Sequence, residues 1–298
     1  MGRNQPSIRQ AKSKGISMAR KLKSFSRPKG GSLKKSYDMI IAKRRKGALE
    51  IQFNRPDRLN TINEEMAEDI MHAMDAVELD RNIIAVVLSG DARAFCAGAD
   101  LGGFQDLPDD RYDNYRARYN QRKNRLLYRF LMNYTKPVIS AVEGYCLGGG
   151  FEMAMMGDFI VASESASFGL PEGKHSLIPG AGGTQNLPRL IGAPLAKELM
   201  WTGRRISGAE AKEYRIVNHV VETGKALTKV RAIVEEMKGV GPLSQMMTKQ
   251  SIDRGVDMSL QQGFMQEADL AYMLSWSDDR AEGLKAFSER RKPDFKGQ

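Results

Sequence analysis

Tyr145 to Ile160 reads YCLGGGFEMAMMGDFI, in which three consecutive glycines, Gly148, Gly149 and Gly150, open a stretch of helical character with Glu152 just inside it. Glycine lets a backbone approach a ligand closely because it has no Cβ. A helix N-terminus adds unpaired amide donors and a partial positive charge. Together these make an anion hole. A phosphate cradle is disfavoured, because no GK[ST] ending follows and no GxGxxG stands after a strand. Tight packing of strand on helix remains the plain alternative for the glycines. A second stretch, AFCAGADL at Ala94 to Leu101, also puts small residues at the exit of an apolar run. Two backbone N–H groups converging from two such exits would form an oxyanion hole, where losing one donor costs about 3 to 4 kcal/mol of transition-state stabilisation.

The elements that must carry these stretches alternate. DMIIAKRRKGALEIQFN predicts a hairpin turning near Arg44 to Gly47. LNTINEEMAEDIMHAMDAVELD has Thr61 and Glu64 at capping-box spacing, with Met66, Ile70, Met74 and Val77 at helical intervals. NIIAVVLSG is a continuous β-branched run suited to a strand buried on both faces, and KPVISAVEGY and DFIVASESASFG repeat the theme. The pattern predicts an α/β fold with largely parallel pairing. From Ala226 onward the signals are helical. The expected organisation is a basic extension over 1–36, an α/β core over 37–225 and a helical segment over 226–298.

The chain has 298 residues, 41% of them hydrophobic, which suffices for a sizeable core. No apolar run approaches the roughly 20 residues of a membrane-spanning helix. The formal charge of +10 sits in the first 37 residues, which hold eleven Lys and Arg and no acid, so the body is nearly neutral. That segment has the composition of a mitochondrial presequence or of a solvated or polyanion-binding arm. Cys96 and Cys146 cannot form a disulfide framework, and His72, His175 and His219 show no ligand spacing, so no metal site is expected.

NRPDRLNTIN, AFCAGADL, GYCLGGGFEMAMMGDFIVASESASFGLPE, IPGAGGTQNLPRLIG and DDRAEGLKAFSERRKPDFKG together resemble the crotonase superfamily, in particular its enoyl-CoA hydratase/isomerase group, from about residue 37 to 298. The resemblance implies a spiral of ββα turns, a helical C-terminal trimerisation segment and an acyl-CoA thioester as substrate, with coenzyme A arriving as part of the substrate and no metal or redox cofactor. It implies that the backbone N–H groups of Ala99 and Gly149 are the oxyanion donors, with Asp100, Leu101 and Gly148 beside them in the substrate wall. It also implies that Glu152 and Glu172, 20 residues apart in GGGFE and GLPE, are the hydratase acids. Glu152 is then expected to deprotonate water and Glu172 to protonate carbon 2, with Gly180 contacting the water. Phe287 and Arg290 fall where family members meet the adenine and phosphates of CoA, often from an adjacent subunit. The expected assembly is a homotrimer or a dimer of trimers, in the cytoplasm or alternatively the mitochondrial matrix.

Two stretches depart from the family pattern. PEGKHSLIPG carries Gly173, Lys174, His175 and Ser176 after the second acid, and His175 is a candidate extra acid or base. The segment between GADL and KPV is long, with Tyr112, Tyr115, Tyr119, Leu126 and Phe130 near one helical face. Tyr115 and Tyr119 are candidates to line an acyl pocket. Basic residues at 111, 116, 118, 122, 123, 125 and 129 face the other way, which keeps a secondary RNA-binding role open. Isomerisation and thioester hydrolysis are the alternative chemistries, since both begin from the same stabilised oxygen.

Overall fold

The computed structural model describes residues 31–100 and 125–298. Strands β1 (Ile40–Arg45) and β2 (Ala48–Phe53) form the expected antiparallel hairpin. It turns at Lys46 and Gly47, whose φ of 93° is left-handed backbone that glycine adopts without strain. Helix α1 (Glu64–Asp75) buries Met66, Ile70 and Met74 completely, with Val77 just beyond its end. Its cap is Asn63, not Thr61: the Asn63 side chain accepts from the Met66 N–H at 3.0 Å. Ile62 is held extended by its N–H bond to the Gly98 carbonyl, and Arg55 reaches Thr61, so the helix cannot begin sooner.

Strands β3 (Ala85–Ser89) and β4 (Ala94–Cys96) precede α2 (Leu126–Met132). Then come β5 (Val138–Val142), β6 (Tyr145–Leu147), α3 (Gly149–Met155), β7 (Phe159–Ser163) and β8 (Ser167–Gly169). A single 3-10 turn at Pro171–His175 leads to α4 (Gly183–Ile191) and α5 (Ala193–Thr202), followed by β9 (Ile206–Ser207), α6 (Gly208–Glu213) and β10 (His219–Val221). Six strands form one sheet in the order β1-β2-β3-β5-β7-β10, and four form another in the order β4-β6-β8-β9. Pairing is parallel except for β1 with β2 and β8 with β9. Three times, a strand of the large sheet is followed by one of the small sheet: β3 to β4, β5 to β6, β7 to β8. DFIVASESASFG is therefore two strands in different sheets, bent at Glu164 to Ala166.

Every residue of β3 and β5 is buried, as parallel strands covered on both faces require. One face packs into the main core with Phe53, Phe95, Phe151 and Phe168. Helix α7 (Ala226–Met237) covers the other, setting Ala226, Val230 and Val234 against Val87, Ile139 and Val161. Helices α8 (Pro242–Gly255), α9 (Leu260–Leu274) and α10 (Asp278–Ser288) complete the helical end of the chain. Among the described residues no helix is long and apolar enough to cross a membrane.

Candidate active site

Two strand exits of the small sheet meet here. Beyond β4 the chain turns at Gly98, with φ of 112°. Ile62 donates to the Gly98 carbonyl at 2.8 Å and accepts from the Asp100 N–H at 2.9 Å. A parallel bridge of this kind engages the groups on either side of Ala99 and turns the N–H of Ala99 itself the other way. Beyond β6, Gly148 adopts φ 50° and ψ −129° as the residue before α3, so Gly149 contributes the first unpaired amide of that helix. Among the described residues neither the Ala99 nor the Gly149 N–H has a backbone acceptor. The two are neighbours: a Cβ added to Gly149 would sit 3.5 Å from the Ala99 nitrogen, and one added to Gly98 would sit 3.6 Å from the Gly149 nitrogen.

The three glycines have three separate reasons. A Cβ on Gly150 would lie 2.2 Å from the Cys96 carbonyl oxygen, so that glycine lets α3 lie on β4. Gly148 supplies the positive φ and faces Glu172, whose Oε1 would be 3.1 Å from an added Cβ. Gly149 is hemmed in by the Tyr128 hydroxyl, 2.7 Å from an added Cβ, and that hydroxyl donates to the Gly149 carbonyl at 3.2 Å. Tight packing and a reachable amide thus coexist in one tripeptide.

Both glutamates border this point, in different environments. Glu152 is 2% exposed, and its Oε1 accepts from the Ala181 N–H at 2.7 Å and the Gly183 N–H at 2.8 Å. Burial raises its pKa, and those two amides and the charge of Arg125 pull back against it. Glu172 lies in the 3-10 turn after β8. Burial pushes its pKa up to about 7, opposed by its own backbone N–H and reinforced by the charge of Glu152. Its Oε2 is buried with no hydrogen-bond partner among the described residues. One carboxyl is clamped by amides and the other has its pKa raised to about 7, a division suited to acid–base work.

The remaining expected residues fall out as follows. Asp100 pairs with Arg55 at 2.8 Å, an ion pair that fixes the loop carrying Ala99. Gly180 opens the turn that clamps Glu152, although the bonds come from Ala181 and Gly183. His175 is exposed at the end of the 3-10 turn, and Ser176 closes that turn with φ 55°. Phe287 is 87% exposed on α10, and Arg290 is exposed just beyond it. Leu101, Tyr112, Tyr115 and Tyr119 lie outside the described residues, as do the basic residues from 111 to 123. Within α2, Leu126 is 47% exposed, Phe130 is half-buried against the core, and Leu127, Tyr128 and Leu131 are buried. Cys96 and Cys146 are buried, unbridged and opposite one another in β4 and β6. Among the described residues no group of acidic, His and Cys side chains could hold a metal ion.

Sequence reasoning missed Tyr128, which braces the Gly149 peptide, and the Ala181–Gly183 clamp on Glu152. In the structure a Cβ on Gly183 would sit 3.0 Å from Glu152 Oε1, so a glycine there lets the turn approach the carboxylate.

A sequence profile of the enoyl-CoA hydratase/isomerase family matches residues 43–298. A probable enoyl-CoA hydratase of Rhizobium meliloti (strain 1021) is 36% identical over 261 residues, covering 88% of this chain and 99% of that protein. The 2,3-dehydroadipyl-CoA hydratase of Escherichia coli (strain K12) is 35% identical over 259 residues, covering 87% and 99%. A crystal structure of an enoyl-CoA hydratase from Bacillus anthracis superposes with a TM-score of 0.82 at 36% identity, covering 88% of this chain and 100% of that one.

Proposed function

Because the chain belongs to the enoyl-CoA hydratase/isomerase family, we propose that it adds water across the 2,3 double bond of a 2-enoyl-CoA thioester. The thioester oxygen accepts from the Ala99 and Gly149 N–H groups. Glu152 takes a proton from water as its oxygen bonds to carbon 3, and the electron pair of the double bond moves through carbon 2 onto the thioester oxygen as an enolate. When the enolate collapses, carbon 2 takes its proton from Glu172. One water has been added and one proton has passed from Glu172 to Glu152, to be returned through solvent. Coenzyme A enters as part of the substrate, and no other cofactor has a step to perform.

The observation that carries this reading is the unequal treatment of two like carboxyls. Glu152 is held by two backbone amides, as an ionised base needs, and Glu172 has a pKa near 7, as a proton donor needs. The test is loss of the conjugated thioester absorbance on a panel of 2-enoyl-CoAs. Glu152→Gln and Glu172→Gln should each lower kcat by about 10²-fold or more. If Glu152→Gln keeps full turnover, hydration is refuted and double-bond isomerisation takes its place.

The assembly we propose is a homotrimer, or a dimer of trimers, built through the C-terminal helices. In support, Phe264, Met265, Tyr272 and Trp276 are each more than 60% exposed on or just after α9. Phe287 and Arg290 would then meet the CoA moiety bound to a neighbouring subunit. The proposed compartment is the cytoplasm, with the mitochondrial matrix as the alternative that the basic first 37 residues favour.

A further inference from the structure

Hydration leaves one charged group beside the reacting atoms without a role. Arg125 stands immediately before α2, and its Nη2 would lie 3.9 Å from a Cβ built on Gly180. Gly180 opens the turn whose next residues, Ala181 and Gly183, hold Glu152. The charge of Arg125 also reaches the Glu152 carboxyl and favours its ionised form. Yet among the described residues no carboxylate oxygen lies within 4.0 Å of this guanidinium, and its side chain donates no hydrogen bond. Arg55, Arg204, Arg231 and Arg291 each have a carboxylate partner. Arg125, exposed beside the site, presents a fork of five donors with no protein acceptor among the described residues.

The order of groups gives the direction in which a substrate would run. Its thioester oxygen begins at Ala99 and Gly149. Glu172 lies against Gly148, Glu152 lies on the turn at 181–183, and Arg125 lies against Gly180 at the start of that turn. A chain that ran from the oxyanion amides between the two carboxyls and on toward Gly180 would bring the atoms beyond carbon 3 to Arg125. A methyl-ended chain would give the guanidinium nothing to bind. A carboxylate would accept two parallel hydrogen bonds from it.

We propose that Arg125 is a substrate-binding residue for a carboxylate carried by the acyl group, so that the preferred substrate is the CoA thioester of an unsaturated dicarboxylic acid. The direction of the chain rests on the hydratase reading above, and the experiment separates the two. Calorimetric titration uses the full-length protein with saturated CoA thioesters of equal length, ending in either a methyl or a carboxylate group. These ligands lack the double bond, so binding is read without turnover. The unmodified protein should bind the acid-ended thioester about tenfold or more tightly than the methyl-ended one, as charged hydrogen bonds allow. Arg125→Met should bring that ratio close to one, and Arg125→Lys should retain part of it. A ratio near one in the unmodified protein would overturn the proposal. So would an unchanged ratio in Arg125→Met, or an equal weakening of both ligands, which would assign Arg125 to the CoA phosphates. A protein that keeps the preference but hydrates no enoyl thioester would refute hydration alone and still support acid recognition.

Discussion

Glu172→Gln should stabilise the protein while disabling it, and the stabilisation should depend on pH in a way that identifies its cause. Burial raises the Glu172 pKa from an ordinary 4.5 to about 7, and among the described residues its Oε2 has no partner to offset the charge. A raised carboxyl pKa means that the folded state holds the proton more tightly than the unfolded chain does. The folded state is thus penalised for ionising Glu172 as pH rises from 4.5 to 7, and the penalty is constant above that. For a fully buried group the shift corresponds to about 3 kcal/mol. Glu172 is partly open to solvent, and screening reduces this to about 2 kcal/mol. Glutamine has the same shape and no charge, so the variant escapes the penalty. Thermal unfolding followed at pH 8, at matched protein concentration, should place its Tm about 4 °C above that of the unmodified protein. The difference should shrink below pH 7 and vanish near pH 4.5. The other titrating groups are common to both proteins, and Glu152, whose charge acts on Glu172, is the one neighbour whose titration the substitution also changes, so the difference reports Glu172 together with that coupling. A gain of the same size at pH 5 and pH 8, or no gain at pH 8, would refute the assignment of an uncompensated buried carboxyl.

The same pair predicts a rate profile. Hydration needs Glu172 protonated and Glu152 ionised, so kcat/KM should fall as pH rises through about 7 and should also fall on the acid side as Glu152 takes up a proton. A descending limb that survives in the residual activity of Glu172→Gln would show that another group sets it. Gly150→Ala should cost about 3 kcal/mol or more, because its Cβ would lie 2.2 Å from the Cys96 carbonyl oxygen, where backbone on both sides must move. Normal expression and an unchanged Tm for that variant would contradict the close packing of α3 on β4.

Much of the fold was legible because its signals are local. The apolar run from Ile83 to Leu88 reads as a strand buried on both faces, and the spacing of Met66, Ile70 and Met74 marks the inward side of α1. What escaped was set by contacts distant in sequence. Asn63 caps α1 because Ile62 is bound to Gly98, 36 residues further on, and no local pattern carries that bond. The packing of α2 is likewise set at a distance: Leu127, Tyr128 and Leu131 face inward against the main core.

The site divides along the same line. Residue types pointed to two glycine-bearing strand exits and to Glu152 inside a helix start, while the choice of Ala99, Gly149 and Glu172 rested on the resemblance to the enoyl-CoA hydratase group. Their unequal roles were not readable from residue type, because Glu152 and Glu172 are the same amino acid. Ala181 and Gly183, about thirty residues along the chain, supply the clamp that favours one ionised carboxyl. Burial without a partner for Oε2 among the described residues raises the pKa of the other to about 7. On the hydration proposed above, the chemistry lies in the difference between two environments, and a substitution that equalised them should remove activity while leaving both glutamates in place.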